Sequence, residues 1–443
     1  MPSRDPVFSF RWLVAKEYRE LVASRAWWVF LLAMGPLTGV TFISAVRTYG
    51  EASGLNGTSI GVGQAFSPLV GVWAPTFSAC EVAAVFLLPF VAIRLVSGDR
   101  QSGALKIEMQ HPMPAIARVA AKAIVLLGGW IVASLAPLAA VLLWQSYGGS
   151  VYTPELAAVA LGHVLNAGLT IALAVAAASV TEHPSTAAIL TLSVTVGTWI
   201  LNFAAAVQGG IWERAAGYTP PAMVAQFQHG LVRLDAVLIA VALVTIGLAF
   251  AALWLRTGLP VRRRLQESFL LGAIAVLFLA GGSDAVASWD LSENRMNSFP
   301  EADERALASI RRPLGIEVHL APEDPRRADL DRKAIAKLRR VMPEVRVQYL
   351  SATSIGLFEQ SAPHYGEIWY ELDGKREMSR STTAESALET IYALAGVTPP
   401  PESGDIFRGH PLAVAPRGAA AVFYGVWPAA VVIGAVLIRR THT

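Results

Sequence analysis

Long apolar stretches, separated by short polar connections, set the pattern of this chain. Eight stretches carry few or no charges over about the 20 residues that a helix needs to cross a bilayer. In chain order they are residues 27–46, 75–96, 123–144, 156–180, 185–207, 236–255, 268–283 and 419–438. The stretch 268–283 is the shortest, and 75–96 carries Glu81 and Arg94 near its ends. The pattern predicts a mainly α-helical polytopic membrane protein with about eight transmembrane helices.

Residues 1–26, before the first stretch, have a helical periodicity of their own. Charged residues, among them Arg11, Lys16 and Arg19, lie between apolar residues that recur at helical spacing. The apolar set is Phe10, Leu13, Val14, Tyr18, Leu21 and Val22. We expect a cytoplasmic helix that lies in the membrane interface and contacts lipid. A second interpretation, a helix packed on its own protein, stays open.

Residues 284–418 change to a charged and mixed composition, which predicts a water-exposed domain inserted before the last stretch. After an opening helix at 298–311, the predicted order is strand 314–320, helix 330–341, strand 345–350, hairpin 367–379 and a closing helix at 384–396. This order predicts a small α/β domain, and it resembles a thioredoxin-like topology. Residues 398–404 are rich in proline and predict a linker to the last stretch.

Three short motifs sharpen these boundaries. Asp373-Gly374 lies between two predicted strands, which is a strong hairpin signal. Ser298 with Glu301, and Thr382 with Glu385, have the spacing of a capping box at the start of a helix.

Composition and charge give the predicted topology. The chain is 54% hydrophobic and 16% charged, against about 25% charged in soluble proteins, which argues against a soluble monomer. The net charge of +3 hides an asymmetry, because basic residues collect in alternate connections. By the positive-inside rule both termini face the cytoplasm and residues 284–418 are extracytoplasmic, in a protein of the inner or plasma membrane. Cys80 is the single cysteine, so an intramolecular disulfide, a four-cysteine zinc site and a C-x-x-C redox motif are excluded.

Three polar residues inside the apolar stretches are candidates for function. Glu81 could contact a substrate, bind a cation beside Cys80, or lie above the lipid boundary. His163 and Asn166 lie close together on the fourth stretch, as an interhelical hydrogen-bonding pair or a transport site. The histidines form no ligand cluster in the sequence, and we expect no metal site.

The connection between the second and third stretches is the most informative part of the chain. It combines an acidic residue, a Ser-Gly pair, a leucine, a proline and a lysine that opens the next stretch. These residues are Asp99, Ser102, Gly103, Leu105, Pro112 and Lys122. The pattern resembles the signature of ABC type-2 permeases, the membrane subunits of a class of ATP-driven exporters. The resemblance implies a six-span permease domain at 27–256, followed by a basic loop and seventh span at 257–283.

In that family, the connection couples the permease to its ATPase. The resemblance therefore implies three kinds of partner: an ABC ATPase subunit, a second permease copy or paralogue, and membrane lipid. No G-x-x-x-x-G-K-[ST] phosphate loop occurs in the sequence, so we expect ATP and Mg²⁺ to be bound by the separate ATPase. On this chain we expect no cofactor and no enzyme activity. We also expect no nucleic-acid partner. The alternative is a membrane-anchored assembly or force-transmitting scaffold that presents the outer domain without transport. Proton-coupled secondary transport lacks its usual charge relay.

A second motif opens the predicted outer domain. Asp290, Leu291, Ser292 and Asn294 precede the first helix of that domain. They are similar to the opening of the extracytoplasmic domain of gliding-motility-type ABC transporter auxiliary proteins. The resemblance implies that such a domain is fused behind the permease, between the seventh span and an eighth span with its tail at 419–443.

Overall fold

The computed structural model describes residues 6–55, 67–110, 113–208, 212, 216–256, 258–281, 287–321, 324–350, 364–401 and 407–442. The chain divides into two compact units. The membrane unit consists of Met1–Trp199, Pro220–Ala287 and Arg408–Thr443. The sheet unit consists of Ile200–Thr219 and Ser288–Phe407.

Seven helical segments of the described chain are long and apolar enough to cross a membrane. They are Arg25–Ala52, Leu69–Ser102, Ala115–Ser146, Thr153–Val180, Pro184–Ala205, Leu234–Trp254 and Ala419–Arg440, called here the first to sixth spans and the last span. This set is that of a multi-pass membrane protein. The additional predicted span, 268–283, lies partly on the helix Val261–Gly281, which has three arginines in its first turn. The last two residues of the predicted span, 282 and 283, fall outside the described residues. That crossing stays a prediction.

Several spans are compound helices. The second joins a π-helical turn Leu69–Trp73 to helices Ala74–Phe86 and Leu88–Ser102, the third joins Ala115–Ala133 to Leu135–Ser146, and the last joins Ala419–Ala421, a π-helical turn Val422–Val426 and Trp427–His442. The fifth span belongs to the helix Pro184–Gln208. The shorter elements are helices Pro6–Ala23, Ala104–Gln110 and Pro220–Gln228 and strand Leu231–Arg233.

The second span is much longer than the predicted stretch 75–96. Its helix continues through the polar residues after Val96 and ends at Gly103, whose φ of 77° is the left-handed conformation that favours glycine at a helix C-cap. The predicted stretch ended at residue 96, whereas in the structure Asp99 lies on the same helix as the span.

The last span packs on the first span. The indole Nε1 of Trp427 donates a hydrogen bond of 2.8 Å to the backbone oxygen of Leu31. A Cβ atom at Gly35 would lie 2.2 Å from Cδ1 of Trp427, and one at Gly39 would lie 2.6 Å from Cβ of Phe423. The two glycines therefore allow the helices to approach closely, as small residues do between membrane helices.

Aromatic side chains gather where the first span ends. The ring of Trp144 lies edge-on to both Tyr49 and Trp73, with centroid distances of 5.4 and 6.1 Å. The Tyr49 hydroxyl donates to the backbone oxygen of His410 at 2.8 Å. The end of the third span, the start of the second and the segment before the last thus meet at one place, as alternating crossings require.

The sheet unit contains a four-stranded mixed sheet. Its strands lie side by side in the order Val345–Tyr349, Leu314–Val318, Ile368–Leu372 and Lys375–Ser379. The first two are parallel and the other neighbours are antiparallel. The predicted hairpin is confirmed, because Asp373 and Gly374 both have positive φ, 57° and 76°. The short strand Ser288–Asp290 precedes this sheet in the chain.

Helices complete this unit and share one apolar core with the sheet. They are Glu301–Ser309, Pro325–Leu330, a π-helical turn Asp331–Ile335, Ala336–Val341 and Ala384–Ala395. The core includes Leu307, Leu314, Ile316, Val318, Leu338, Ile368, Tyr370, Leu372 and Ile391. The predicted order of strands and helices is confirmed.

Both predicted capping boxes are wrong in detail. Pro300 stands at the N-cap of the helix Glu301–Ser309, so Ser298 does not cap that helix. In the closing helix the cap is Thr383, one residue after Thr382, and its hydroxyl accepts the backbone N–H of Ser386 at 3.3 Å.

Candidate functional site

Five charged side chains from four helices meet in the membrane unit. Lys16 and Glu17 come from the N-terminal helix Pro6–Ala23, Asp99 from the second span, Glu108 from the short helix Ala104–Gln110, and Lys122 from the third span. Lys122 Nζ lies 2.7 Å from Glu17 Oε2 and also contacts Asp99. Lys16 Nζ lies 3.1 Å from Asp99 Oδ1 and also contacts Glu108. We call these five residues the charge cluster.

Three side chains of the charge cluster are almost inaccessible to solvent. The side chains of Glu17, Asp99 and Lys122 are 0%, 3% and 2% exposed. A buried ion loses its hydration, which costs several kcal/mol unless opposite charges and hydrogen bonds replace the water. Here Lys122 donates to both buried carboxylates, while Lys16 approaches from the more exposed side. The arrangement holds the N-terminal helix against the second and third spans.

Burial and charge shift the pKa values of the N-terminal helix. Burial raises the pKa of Glu17, although the charges of Lys122 and Lys16 oppose this shift. Burial and the charge of Asp99 raise the pKa of Glu20 to about 7. Burial acts to lower the pKa of Lys16, but its bond to Glu108 and the surrounding carboxylates outweigh that effect, and the net shift is upward.

Three carboxylates of the charge cluster lie close enough together to hold a cation. Oxygen atoms of Glu17, Asp99 and Glu108 all lie within 4.8 Å of one another. The ammonium groups of Lys16 and Lys122 already contact these carboxylates. A metal ion would have to displace them, so the donor set favours ion pairing within the chain.

Two arginines extend the links around the charge cluster. Arg100 donates to the backbone oxygens of Ser179, at 2.8 Å, and Thr181, which ties the end of the second span to the end of the fourth. Arg118 donates to the backbone oxygen of Glu108 at 2.8 Å, which ties the short helix to the third span. These bonds join the short helix to the third span, and the second span to the end of the fourth.

Two apolar side chains of the short helix, Leu105 and Ile107, differ in their exposure. Leu105 is 8% exposed and anchors the helix, whereas Ile107 is 72% exposed. Ser102 Oγ receives the backbone N–H of Ala104 at 3.4 Å, just after the left-handed turn at Gly103. Among the residues predicted here, Pro112 lies outside the described part of the chain.

The structure brings Asp99 and Lys122 together, and adds Glu17 and Glu108, which the sequence reasoning missed. A signal for Glu17 was present. It lies four residues from both Leu13 and Leu21, so a carboxylate occupies the apolar stripe of the N-terminal helix. On that helix Leu21 is buried while Tyr18 is 58% exposed. The helix thus packs on its own protein along part of its surface.

Two of the predicted intramembrane residues share a cavity of about 330 Å³. Glu81 and Asn166 both line it. The second span begins at Leu69, so Glu81 lies about 18 Å along the helix at 1.5 Å per residue. His163 is not among the lining residues. Its ring stacks on Phe77, and its Nε2 lies 3.4 Å from Nε2 of Gln228.

The opening motif of the sheet unit forms a polar turn. Asp290 accepts hydrogen bonds from the backbone N–H groups of Ser292 and Asn297, at 3.1 and 2.9 Å. Ser292 Oγ and Asn294 Oδ1 both receive the N–H of Met296. Leu291 is half-buried. The motif residues thus organise their own backbone, which is a structural role.

Comparisons with known protein families, with curated proteins and with solved structures found no match to this chain.

Proposed function

We propose that this chain is the permease subunit of an ATP-driven ABC exporter, working as a pair of permease halves with a separate ATPase. The observation that carries the proposal is the charge cluster. It joins the N-terminal helix, the helix Ala104–Gln110 and the second and third spans, so that a push on the short helix reaches the spans.

In this proposal, the short helix is the contact with the ATPase. Ile107 is its exposed apolar contact, and Leu105 fixes the helix to the permease. Closure of the ATPase would displace the short helix and the N-terminal helix together, because Glu108 of the short helix pairs with Lys16 of the N-terminal helix. Arg100 would carry the movement to the fourth span. The spans would then tilt and open a path for cargo.

The rest of the proposal follows the topology predicted from charge. The charge cluster faces the cytoplasm of an inner or plasma membrane, and ATP and Mg²⁺ are bound by the ATPase subunit. The sheet unit lies outside the cell membrane as a thioredoxin-like auxiliary domain, supported by its strand order with one parallel and two antiparallel neighbours. That domain would receive or guide cargo, or a partner protein.

Co-purification from native membranes tests the proposal. A tagged chain should bring down a subunit with a phosphate loop and ATPase activity. The variant Ile107→Asp should lose most of that association, because it places a charge in an apolar contact. Val261→Asp is the matched control, since Val261 is also exposed, at 62%, and opens the helix Val261–Gly281. The control should retain the ATPase.

Several results would contradict the proposal. Pull-down of the native complex without an ATPase would remove its basis, as would Gly103 and Leu105 variants that keep normal ATPase association and activity. An associated ATPase whose turnover never responds to cargo would favour the mechanical scaffold instead of an exporter.

A further inference from the structure

The cavity that contains Glu81 and Asn166 lies inside the membrane unit. Its volume of about 330 Å³ falls at the low end of the roughly 300–1,000 Å³ typical of small-molecule sites. Most of its wall is apolar, with side chains from the second, fourth and sixth spans such as Val85, Leu173 and Leu243. Such a wall accepts a hydrocarbon body.

Three polar side chains on the cavity wall have unused hydrogen-bonding groups. The Nδ2 atom of Asn166 and the Nε1 atom of Trp199 are buried, and neither has a hydrogen-bond partner among the described residues. Asn166 is 3% exposed as a whole. The Glu81 carboxylate likewise makes no hydrogen bond or ion pair with any described residue. Buried polar groups are normally paired, so two such groups beside the partly buried Glu81 carboxylate on one cavity indicate that something binds there.

The chemistry of these groups selects the ligand. A carboxylate in an apolar surrounding calls for a cation that also donates hydrogen bonds. The N–H groups of Asn166 and Trp199 call for an acceptor beside that cation. A single carboxylate offers too few oxygens for a Mg²⁺ or Ca²⁺ ion, and it would repel a fatty acid.

We propose that this cavity binds an amphiphile with an ammonium group, an adjacent hydrogen-bond acceptor and an apolar body. The ammonium pairs with Glu81, the acceptor receives the N–H groups of Asn166 and Trp199, and the hydrocarbon lies along Leu173 and Leu243. This chemistry is found both in the headgroup of phosphatidylethanolamine and in free amino alcohols. The proposal concerns binding by this chain and does not depend on ATP-driven export.

Equilibrium binding to the full chain in nanodiscs tests the proposal. The probe is radiolabelled 2-amino-1-dodecanol, the comparison ligand is 1-dodecanol, and the nanodiscs contain phosphatidylcholine and phosphatidylglycerol. Binding of the amine above that of empty nanodiscs should be saturable and should weaken at least about ten-fold in Glu81→Gln, which keeps the shape and removes the charge. Asn166→Leu should weaken it independently. Glu182→Gln, at an exposed carboxylate between the fourth and fifth spans, is the control and should bind normally.

The arms of the experiment separate the two sources of the ligand. Competition when phosphatidylethanolamine is added to the nanodiscs assigns the lipid, and lack of competition assigns a free amphiphile; both support the site. Equal affinity for the amine and 1-dodecanol overturns the proposal, as does amine binding within about two-fold of wild type in correctly folded Glu81→Gln. A thermal unfolding curve of each variant establishes folding, so that loss of binding is not confused with misfolding.

Discussion

Lys122→Met is the sharpest test of the charge cluster. The substitution keeps the length and apolar stem of the side chain and removes its ammonium group. Glu17 and Asp99, which are almost completely buried, would then lose their contacts with Lys122. Lys16 would remain 3.1 Å from Asp99, at the more exposed side of the cluster.

The expected loss of stability can be worked from these contacts. Removing one partner of a buried ion pair typically costs about 3–5 kcal/mol, because the other charge is left buried without compensation. Lys16 offsets part of that cost, so we expect about 3 kcal/mol for Lys122→Met. Neutralising a partner as well, in Lys122→Met with Asp99→Asn, should recover at least about 1.5 kcal/mol, since fewer uncompensated charges remain.

The measurement is unfolding of the purified full chain in mixed micelles with increasing denaturing detergent. The 12 tryptophans provide an intrinsic fluorescence signal. Lys333→Met is the matched control. Its ammonium is 54% exposed and pairs with Asp329 on the surface, where such pairs contribute about 0–1 kcal/mol.

Two results would refute the reasoning. One is a loss in Lys122→Met no larger than that in Lys333→Met. The other is strict additivity of Lys122→Met and Asp99→Asn, because residues that share an ion pair must show a coupling energy.

Three further predictions concern packing, pH and the hairpin. Gly35→Ala should cost about 1–3 kcal/mol in the same assay, because its Cβ would overlap the Trp427 indole, whereas Gly197→Ala meets nothing within 4 Å and should be near neutral. Burial raises the pKa of Glu20 to about 7, so its contribution to stability is complete below pH 4.5 and is lost as the pH rises through 7. The Tm of Glu20→Gln should therefore depend less on pH between about pH 5 and 8 than that of the wild type. Gly374→Ala, at a φ of 76°, should cost about 1 kcal/mol, seen as faster hydrogen exchange in the hairpin strands.

Much of the fold could be predicted from the sequence, because the patterns that indicate helices and strands are local. Apolar runs of about 20 residues predicted the helices that carry the seven candidate spans, since a charge inside a bilayer is costly. Alternation and the Asp373-Gly374 turn predicted the strands of the sheet unit. The ends of helices were harder to predict from the sequence. The second span continues past Asp99, and Ser298 is not a cap, because helix ends depend on packing and on backbone conformation as well as on residue type.

Only part of the candidate site could be predicted from the sequence. Asp99 and Lys122 were found through a motif, and the structure joins them directly. Glu17 and Glu108 were missed. The helical spacing put Glu17 in an apolar stripe, but nothing in a linear pattern shows which distant lysine each carboxylate will meet. The shared cavity of Glu81 and Asn166 was missed for the same reason, because it is formed by separate spans.

The sequence by itself determined that this chain is a membrane protein with a separate sheet-forming segment, because hydrophobicity and strand alternation act between near neighbours. Only the tertiary structure decided which charges pair. Lys122 and Glu17 are 105 positions apart, and Lys16 and Asp99 are 83 apart. Such pairs form only after the helices have packed, when the loss of hydration forces each buried charge to find an opposite one.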